Sequence, residues 1–167
     1  MNKKKNIISV TIKDKDNLHD LFNKNRLSKE LGGYIYNNSL QFSHKEDFSI
    51  EIKTEFKLDD KEKEVIVDMI REFFGLNIRE TINYYKYSRM KRIILFIIGI
   101  ILICCAHFTE QLNDFIFSEV LLIIGWFAIW EVFGNISYAE AKNKFQLKYL
   151  KKLVNCKITI EQIKETV

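Results

Sequence analysis

Few residues in this sequence have the types and spacing that catalysis or metal binding requires. Cys104, Cys105 and His107 are all of metal-ligand type, but adjacent helical residues point about 100° apart and are poorly placed to close one tetrahedral site. We interpret the two cysteines as small residues of an apolar helix. His19 and His44 are isolated from other ligand types. The sequence therefore predicts a protein that is not an enzyme and carries no metal and no cofactor.

Carboxylates occur at two informative places. Asp59 and Asp60 precede a stretch of helical periodicity. Acidic residues stabilise the amino-terminal end of a helix, so capping explains this pair. Glu131 instead lies inside a long apolar run. A charged side chain at the centre of a bilayer costs about 2.5–3.5 kcal/mol, so such a residue marks a candidate functional site.

The depth of Glu131 decides between two interpretations of it. If the chain turns near residue 112, Glu131 lies level with Arg92, close to one membrane surface. The first interpretation is then a structural ion pair from Glu131 to Arg92 or Lys91, with Asn135 one helical turn further on. The alternative is that Glu131 belongs to an ion path or a sensor. We expect the ion pair.

Two apolar runs set the class of protein. Residues 93–106 contain no polar side chain, and residues 115–138 contain only a few. Two such runs in a chain of 167 residues leave too little other protein to bury them. We therefore predict membrane-spanning helices at about 92–108 and 117–137, which basic side chains before the first run extend to the lipid headgroups. This pattern excludes a soluble globule, a disordered chain and a disulfide scaffold.

The charges around these runs predict the orientation. Lys and Arg precede the first run and follow the second, whereas the linker between them carries acidic residues and no Lys or Arg. Basic loops stay in the cytosol, so both termini are expected there, and we identify no secretory signal. The lysines after the second run are expected to contact lipid headgroups rather than nucleic acid: Lys142, Lys144 and Lys148.

The charged ends of the chain predict a small domain. Apolar and polar residues alternate over 8–12, 48–56 and 157–161, as in half-buried strands. A helical pattern with one apolar face starts at Asp60. The predicted fold is α+β: a two-helix transmembrane hairpin on a small cytosolic domain with about three strands packed on a long helix.

Several finer features of the cytosolic parts are predicted as well. Short helices are expected at 17–22 and 28–36, with Gly32-Gly33 as a break. The long helix should break or bend near Gly75, and a separate basic amphipathic helix should occupy residues 139–153.

The predicted organisation has three segments. Residues 1–90 form a cytosolic α/β region that ends in a juxtamembrane helix, and residues 91–138 form the transmembrane hairpin. Residues 139–167 return a basic helix and a strand to the amino-terminal domain. Both ends of the chain are thus expected to build one domain.

The order of these elements resembles that of a group of small bacterial membrane proteins. The resemblance rests on Leu27–Ile35 (LSKELGGYI), on the helix start Asp59–Glu64 (DDKEKE) and on Ile123–Glu131 (IIGWFAIWE). Proteins of this group cross the membrane twice and form a cytosolic α/β domain from both termini. The resemblance implies that architecture, in the cytoplasmic (inner) membrane of a bacterium, and brings no activity and no functional residues.

Two functional classes fit these predictions. In the first, the protein is a non-enzymatic membrane module whose cytosolic domain binds an unknown protein partner or a signal. In the second, several hairpins assemble into an ion-conducting or membrane-permeabilising pathway. The sequence favours the first class, because neither span has a polar stripe. A hairpin this small often associates, so we also expect a homo-oligomer in contact with membrane lipid.

Overall fold

The computed structural model describes residues 6–43, 45–111 and 114–163, apart from the side chains of residues 135–139. It divides into two compact units. Met1–Glu80 with Gln146–Val167 make the first, called the α+β domain, and Thr81–Phe145 make the second, called the hairpin. The elements in chain order are strand β1 (Asn6–Ile12), a 3₁₀ helix (Lys15–Leu18), helix α1 (Lys29–Ser39), strand β2 (Phe48–Thr54), helix α2 (Asp60–Gln111), helix α3 (Phe115–Asn155) and strand β3 (Lys157–Gln162).

The three strands form one parallel sheet in the order β1-β2-β3. In register, Ile50 of the central strand lies between Ile8 and Ile158. Both β1 and β3 thus pair with the same strand, although one comes from each end of the chain. The predicted three-stranded sheet that joins the two ends is confirmed.

One face of the sheet forms the hydrophobic core. Side chains alternate along β2, so that Phe48, Ile50 and Ile52 point to the buried face and the residues between them point to the other. The helices cover this face with buried apolar side chains: Leu31 and Ile35 of α1, Ile66, Ile70 and Phe74 of α2, and Leu150 and Leu153 of α3. The predicted packing of the strands on the long helix is confirmed.

Helix α2 begins where the acidic pair predicts. Glu62 reaches back as in a capping box, because its Oε2 accepts a hydrogen bond from the Asp59 backbone N–H (2.9 Å). Asp59 Oδ1 in turn accepts from the Asp60 N–H (2.8 Å). These bonds satisfy backbone donors that the first turn of a helix leaves unpaired.

The segment between β1 and α1 differs from the prediction. The prediction of a helix over 17–22 is wrong, because the helical structure there ends at Leu18 and is of the 3₁₀ type. Beyond it, Asp20 Oδ1 accepts from the Phe22 N–H (3.0 Å), and Asn23 Oδ1 accepts from the Asn25 N–H (3.0 Å). Such local bonds from Asp and Asn side chains stabilise turns in competition with a helix.

The glycine pair Gly32-Gly33 lies inside α1 and does not break it. A Cβ atom at Gly32 would collide with the Phe73 ring of α2, so the absence of a side chain lets the two helices approach. Ser28 occupies the N-cap position of α1, although its side chain makes no capping hydrogen bond with the described residues. The expected break is therefore wrong, and the glycine serves close packing.

Both long helices continue through the positions where interruptions were predicted. Helix α2 passes through Gly75, and α3 includes residues 139–153 without a separate start. The expected break near Gly75 and the separate helix over 139–153 are therefore wrong. A glycine inside a helix costs only about 1 kcal/mol, and the chain contains no proline that would interrupt either helix.

Small residues form the seam between the two helices of the hairpin. A Cβ on Gly125 would lie 3.0 Å from the Gly99 backbone oxygen, so the two backbones are in contact there. Nearer the turn, the buried Ser118 hydroxyl donates to the Ala106 oxygen (2.8 Å). In each pair the residues are equally far in sequence from position 112, as the predicted turn requires. Small residues at a helix crossing of this kind are typical of helices that pack in membranes.

We predict that Gly125→Ala loosens the hairpin, although alanine has the higher helix propensity. The new methyl group would lie 2.8 Å from the Ile103 side chain as well as 3.0 Å from the Gly99 oxygen. Overpacking of this kind costs about 1–3 kcal/mol. The free energy of unfolding in mixed micelles, measured by denaturant titration, should fall by that amount.

Gly134→Ala is the matched control, because a Cβ at this position meets no described atom within 4 Å. It should leave the free energy of unfolding unchanged or raise it by up to about 1 kcal/mol through helix propensity. Equal effects of the two substitutions would contradict the glycine seam.

Candidate functional site

The exterior of the hairpin is apolar along most of its length. Helix α2 and the segment Phe115–Gly134 of α3 are long and apolar enough to cross a membrane. In the most apolar windows of these helices, only 11% and 17% of the residues are buried, whereas a core helix of a soluble protein is mostly buried. Soluble monomers rarely expose a continuous apolar surface of this extent. Large exposed side chains on it include Ile97, Ile101, Phe117, Ile124, Phe127 and Trp130.

Arg92 is held within the hairpin by an acidic residue of α3. Its side chain is 11% exposed, and its Nη2 lies 3.8 Å from Glu140 Oε1. Side chains lean toward the amino-terminal end of their own helix. In an antiparallel hairpin, Arg92 therefore leans away from the turn and Glu140 leans toward it. The two side chains therefore extend toward each other. For this reason their charges meet, although Glu140 lies more residues away from the turn than Arg92 does.

Glu131, the predicted partner of Arg92, is exposed on α3. Lys91 is the other residue predicted to pair with Glu131. Its ammonium group lies 4.7 Å from the centre of the Tyr87 ring. The side chain of Asn135 lies outside the described part of the chain. The ion pair from Glu131 to Arg92 or Lys91 stays a prediction.

The three lysines predicted to contact lipid headgroups belong to different surroundings. Lys144 Nζ lies 3.7 Å from Glu140 Oε2, so that Glu140 has basic neighbours on both helices. Lys142 is exposed on the hairpin. Lys148 belongs to the α+β domain and lines a cavity there. Their contacts with headgroups stay predictions.

The cavity beside Lys148 is basic and has a volume of about 690 Å³. Lys151, Lys152 and Lys157 also line it, together with the acidic Asp47. The carboxyl-terminal end of a helix carries partial negative charge, which favours lysines at the end of α3. Four ammonium groups around one cavity give a local excess of positive charge that attracts anions.

Three contacts hold the Lys152 ammonium group at this cavity. It donates to the Glu46 backbone oxygen, lies 3.9 Å from Asp47 Oδ1 and stands 5.7 Å from the centre of the Phe48 ring. The other three lysines are exposed. They are the charged groups that an anionic ligand would meet first.

Cys156 also lines the cavity but does not have the properties of a nucleophile. Burial raises the pKa of its thiol to about 11. Its Sγ donates to the Leu153 backbone oxygen (3.2 Å). The thiolate is the reactive form of cysteine, so this thiol is protonated and unreactive at neutral pH.

The remaining residues of metal-ligand type that the structure describes do not form a set of three ligands. Cys104 and Cys105 are exposed and line an open apolar groove of about 620 Å³. His107 Nδ1 lies 3.7 Å from Glu110 Oε2, while His44 lies outside the described residues. Within the described ranges, no group of three His, Cys, Asp or Glu side chains is placed to hold a metal ion.

Sequence reasoning missed two features of the α+β domain. The basic cavity combines residues from α3, β2 and β3, which are distant in sequence. The spacing of Lys148, Lys151 and Lys152 could have shown that they share one face of a helix. The second feature is the pair Leu21 and Phe22, which are 95% and 98% exposed. The helix predicted over 17–22 gave no indication of this exposure.

Comparison of the chain with known protein families, curated proteins and solved structures gave no match. Its function is therefore argued from its own residues.

We predict that the reactivity of Cys156 depends on pH in an unusual range. In a Cys104→Ala, Cys105→Ala variant, the alkylation rate of the folded protein should keep rising to about pH 11, because burial raises the pKa from 9.0 to about 11. The folded state thus holds this proton more tightly than the unfolded state. The free energy of unfolding should accordingly fall as the pH rises from about 9 to about 11.

The control for this titration is an exposed thiol in the same domain. Lys57 is exposed, so Lys57→Cys in a background without the three native cysteines should titrate near the ordinary value for cysteine. A folded Cys156 whose alkylation rate levels off near pH 9 would contradict its burial.

Proposed function

We propose that this chain is a small integral membrane protein with a non-enzymatic binding module. The hairpin crosses the bacterial cytoplasmic membrane, and the α+β domain binds an anionic ligand or the acidic segment of a protein partner in the cytosol. The observation that carries the membrane part is the exposed apolar surface of the hairpin. The basic cavity supports the binding part.

The glycine seam supports insertion of the hairpin in lipid. Lipid tails are as apolar as Leu, so helices in a bilayer associate mainly through close packing and interhelical hydrogen bonds. Gly99 and Gly125 supply the first contribution, and the bond from Ser118 to the Ala106 oxygen supplies the second. The seam thus uses the interactions that remain effective outside water.

The sheet supports a topology with both termini on one side. Two spans return the chain to the side on which it started, and β1 and β3 lie in the same sheet. Basic residues flank the spans on this side, while Glu110 and Asp114 border the turn. By the positive-inside rule the α+β domain faces the cytosol.

The basic cavity supports recognition by charge. Lys148, Lys151 and Lys157 are exposed around it, and the protonated thiol of Cys156 beside them suits binding better than covalent chemistry. An anionic group would receive ammonium donors from more than one element. Because exposed charges are screened by salt, this binding should weaken as the ionic strength rises.

The alternative is an oligomeric ion-conducting protein. Along the described seam the two backbones of one hairpin are in contact, so a conducting path would have to form between several copies. Glu131 would then have to face that path. The observations favour the binding module, because the contacts that support it lie within one chain.

The orientation is tested by thiol labelling in a cysteine-free background (Cys104→Ala, Cys105→Ala, Cys156→Ala). Glu110→Cys, near the turn, should react with an impermeant maleimide on intact bacterial cells, because Glu110 is exposed and predicted to lie outside. Lys57→Cys should react only after the cells are permeabilised. Native Cys156 is unsuitable as the internal reporter, since its thiol is protonated.

The reverse labelling pattern would contradict the proposed orientation. Absence of label at both positions on intact cells, with labelling of both after permeabilisation and release of the protein by alkaline carbonate, would contradict insertion altogether. Detection of both thiols after permeabilisation provides the control for expression and folding.

A further inference from the structure

Leu21 and Phe22 present two large apolar side chains to solvent. Their exposed fractions, 95% and 98%, are the largest among the exposed apolar residues of the described chain. Isolated exposed apolar residues are common, but Leu21 and Phe22 are adjacent and almost fully exposed. Together they form an apolar surface that we call the tip. Aromatic residues at such positions are typical anchors of protein interfaces.

The backbone beneath this tip is ordered by hydrogen bonds. The Asp20 N–H donates to the Arg26 oxygen (2.9 Å), and the Arg26 N–H donates to the Asn23 oxygen (3.0 Å). His19 and Leu27 close the base as an antiparallel bridge. The 20–26 loop is therefore a defined projection, so its tip can bind without a large loss of backbone entropy.

A groove of about 350 Å³ adjoins this loop in the α+β domain. Its apolar lining consists of Leu27, at the base of the loop, and Met69, Phe73 and Leu76 of α2. Its charged lining is of both signs: Asp20, Glu72 and Glu80 are acidic, and Arg26 and Lys29 are basic. Methionine is flexible and adapts its shape to an incoming apolar group. The groove thus combines an apolar surface with charged groups of both signs, among which the acidic ones are in slight excess.

The loop and the groove have complementary chemistry, but they do not satisfy each other within one chain. Leu21 and Phe22 are exposed rather than seated in the groove. Lys24 stands next to this apolar tip, and Glu72 and Glu80 stand next to the apolar lining. In two copies related by a twofold axis, the loop of each can enter the groove of the other, as the symmetry of an isologous dimer requires.

We propose that two copies of this chain associate through their α+β domains, with the Leu21–Phe22 tip of each copy in the groove of the other. The proposal rests on the proposed function, because confinement of both copies to one membrane gives a high effective concentration. An interface built on two anchors is smaller than that of a standard stable complex. Tethering by the hairpins compensates for the small area.

Disulfide cross-linking between two differently tagged copies tests this contact. In the cysteine-free background, one full-length copy carries Phe22→Cys and the other carries Leu76→Cys, and both are reconstituted in the same liposomes. The product that carries both tags should form under mild oxidation. Lys61→Cys replaces Leu76→Cys in the matched control, because Lys61 is exposed on α2 and does not line the groove. The control should give roughly tenfold less product.

A second variant tests the anchors without introducing thiols. Leu21→Ser with Phe22→Ser should raise the dimer dissociation constant in detergent roughly tenfold or more, as measured by sedimentation with a circular-dichroism check of folding. Lys61→Ser should leave the dissociation constant unchanged. An unchanged constant in the double variant, or equal cross-linking to positions 76 and 61, would overturn the proposal.

Further outcomes distinguish this contact from burial of the tip in lipid and from a failure of membrane insertion. A fluorophore on Phe22→Cys that senses an apolar environment even at one copy per liposome would place the tip in lipid and overturn the proposal. Correct topology without cross-linking would contradict this interface alone. Cross-linking in detergent together with failed topology labelling would support the interface and contradict membrane insertion.

Discussion

The apolar surface of the hairpin has to be kept out of water, and the arrangement of the rest of the chain depends on this. Burial of one large apolar side chain is worth about 1.5–3 kcal/mol, and the total stability of a small domain is about 5–15 kcal/mol. The many exposed Ile and Phe side chains of α2 and α3 gain none of this free energy when the chain folds in water, so their removal from water has to come from the surroundings of the hairpin. In the proposed arrangement lipid covers this surface, while the glycine seam joins the helices by contacts that do not rely on water.

The same hairpin is also the connection between two strands of the sheet. Parallel strands need a long crossover, and here the crossover from β2 to β3 consists of α2 and α3 together. The sheet therefore reaches its final form only after both helices have been made. Strand β3 then adds Ile158 and Ile160 beside the central strand, so that completion of the α+β domain is coupled to formation of the hairpin.

Local patterns predicted the elements that depend on local physics. Alternation identified the three strands, the carboxylates at Asp59 and Asp60 marked the start of α2, and the turn near residue 112 gave the register of the Gly99 and Gly125 contact. The wrong prediction at Gly32 has a tertiary cause. Gly32 was interpreted as a break because its close neighbour, Phe73, is distant in sequence.

Candidate sites were harder to predict, because they depend on how side chains lean and on which elements meet. Matching residues by level gave no indication of Glu140, which the direction of each side chain along its helix brings to 3.8 Å from Arg92. The basic cavity needs three distant elements to come together. The exposed tip at Leu21 and Phe22 depends on Asx turns. The sequence analysis did not predict these turns, because the apolar pattern there resembles that of a short helix.

Contact between the hairpin and lipid is the central claim, and the two tryptophans of the chain report on it directly. Trp126 and Trp130 both lie on α3, where their side chains are 50% and 68% exposed. In liposomes made with lipids brominated on their acyl chains, the tryptophan fluorescence of the unmodified protein should be strongly quenched, and iodide added to the water should have little effect. Quenching by iodide without quenching by the brominated lipids would contradict the account.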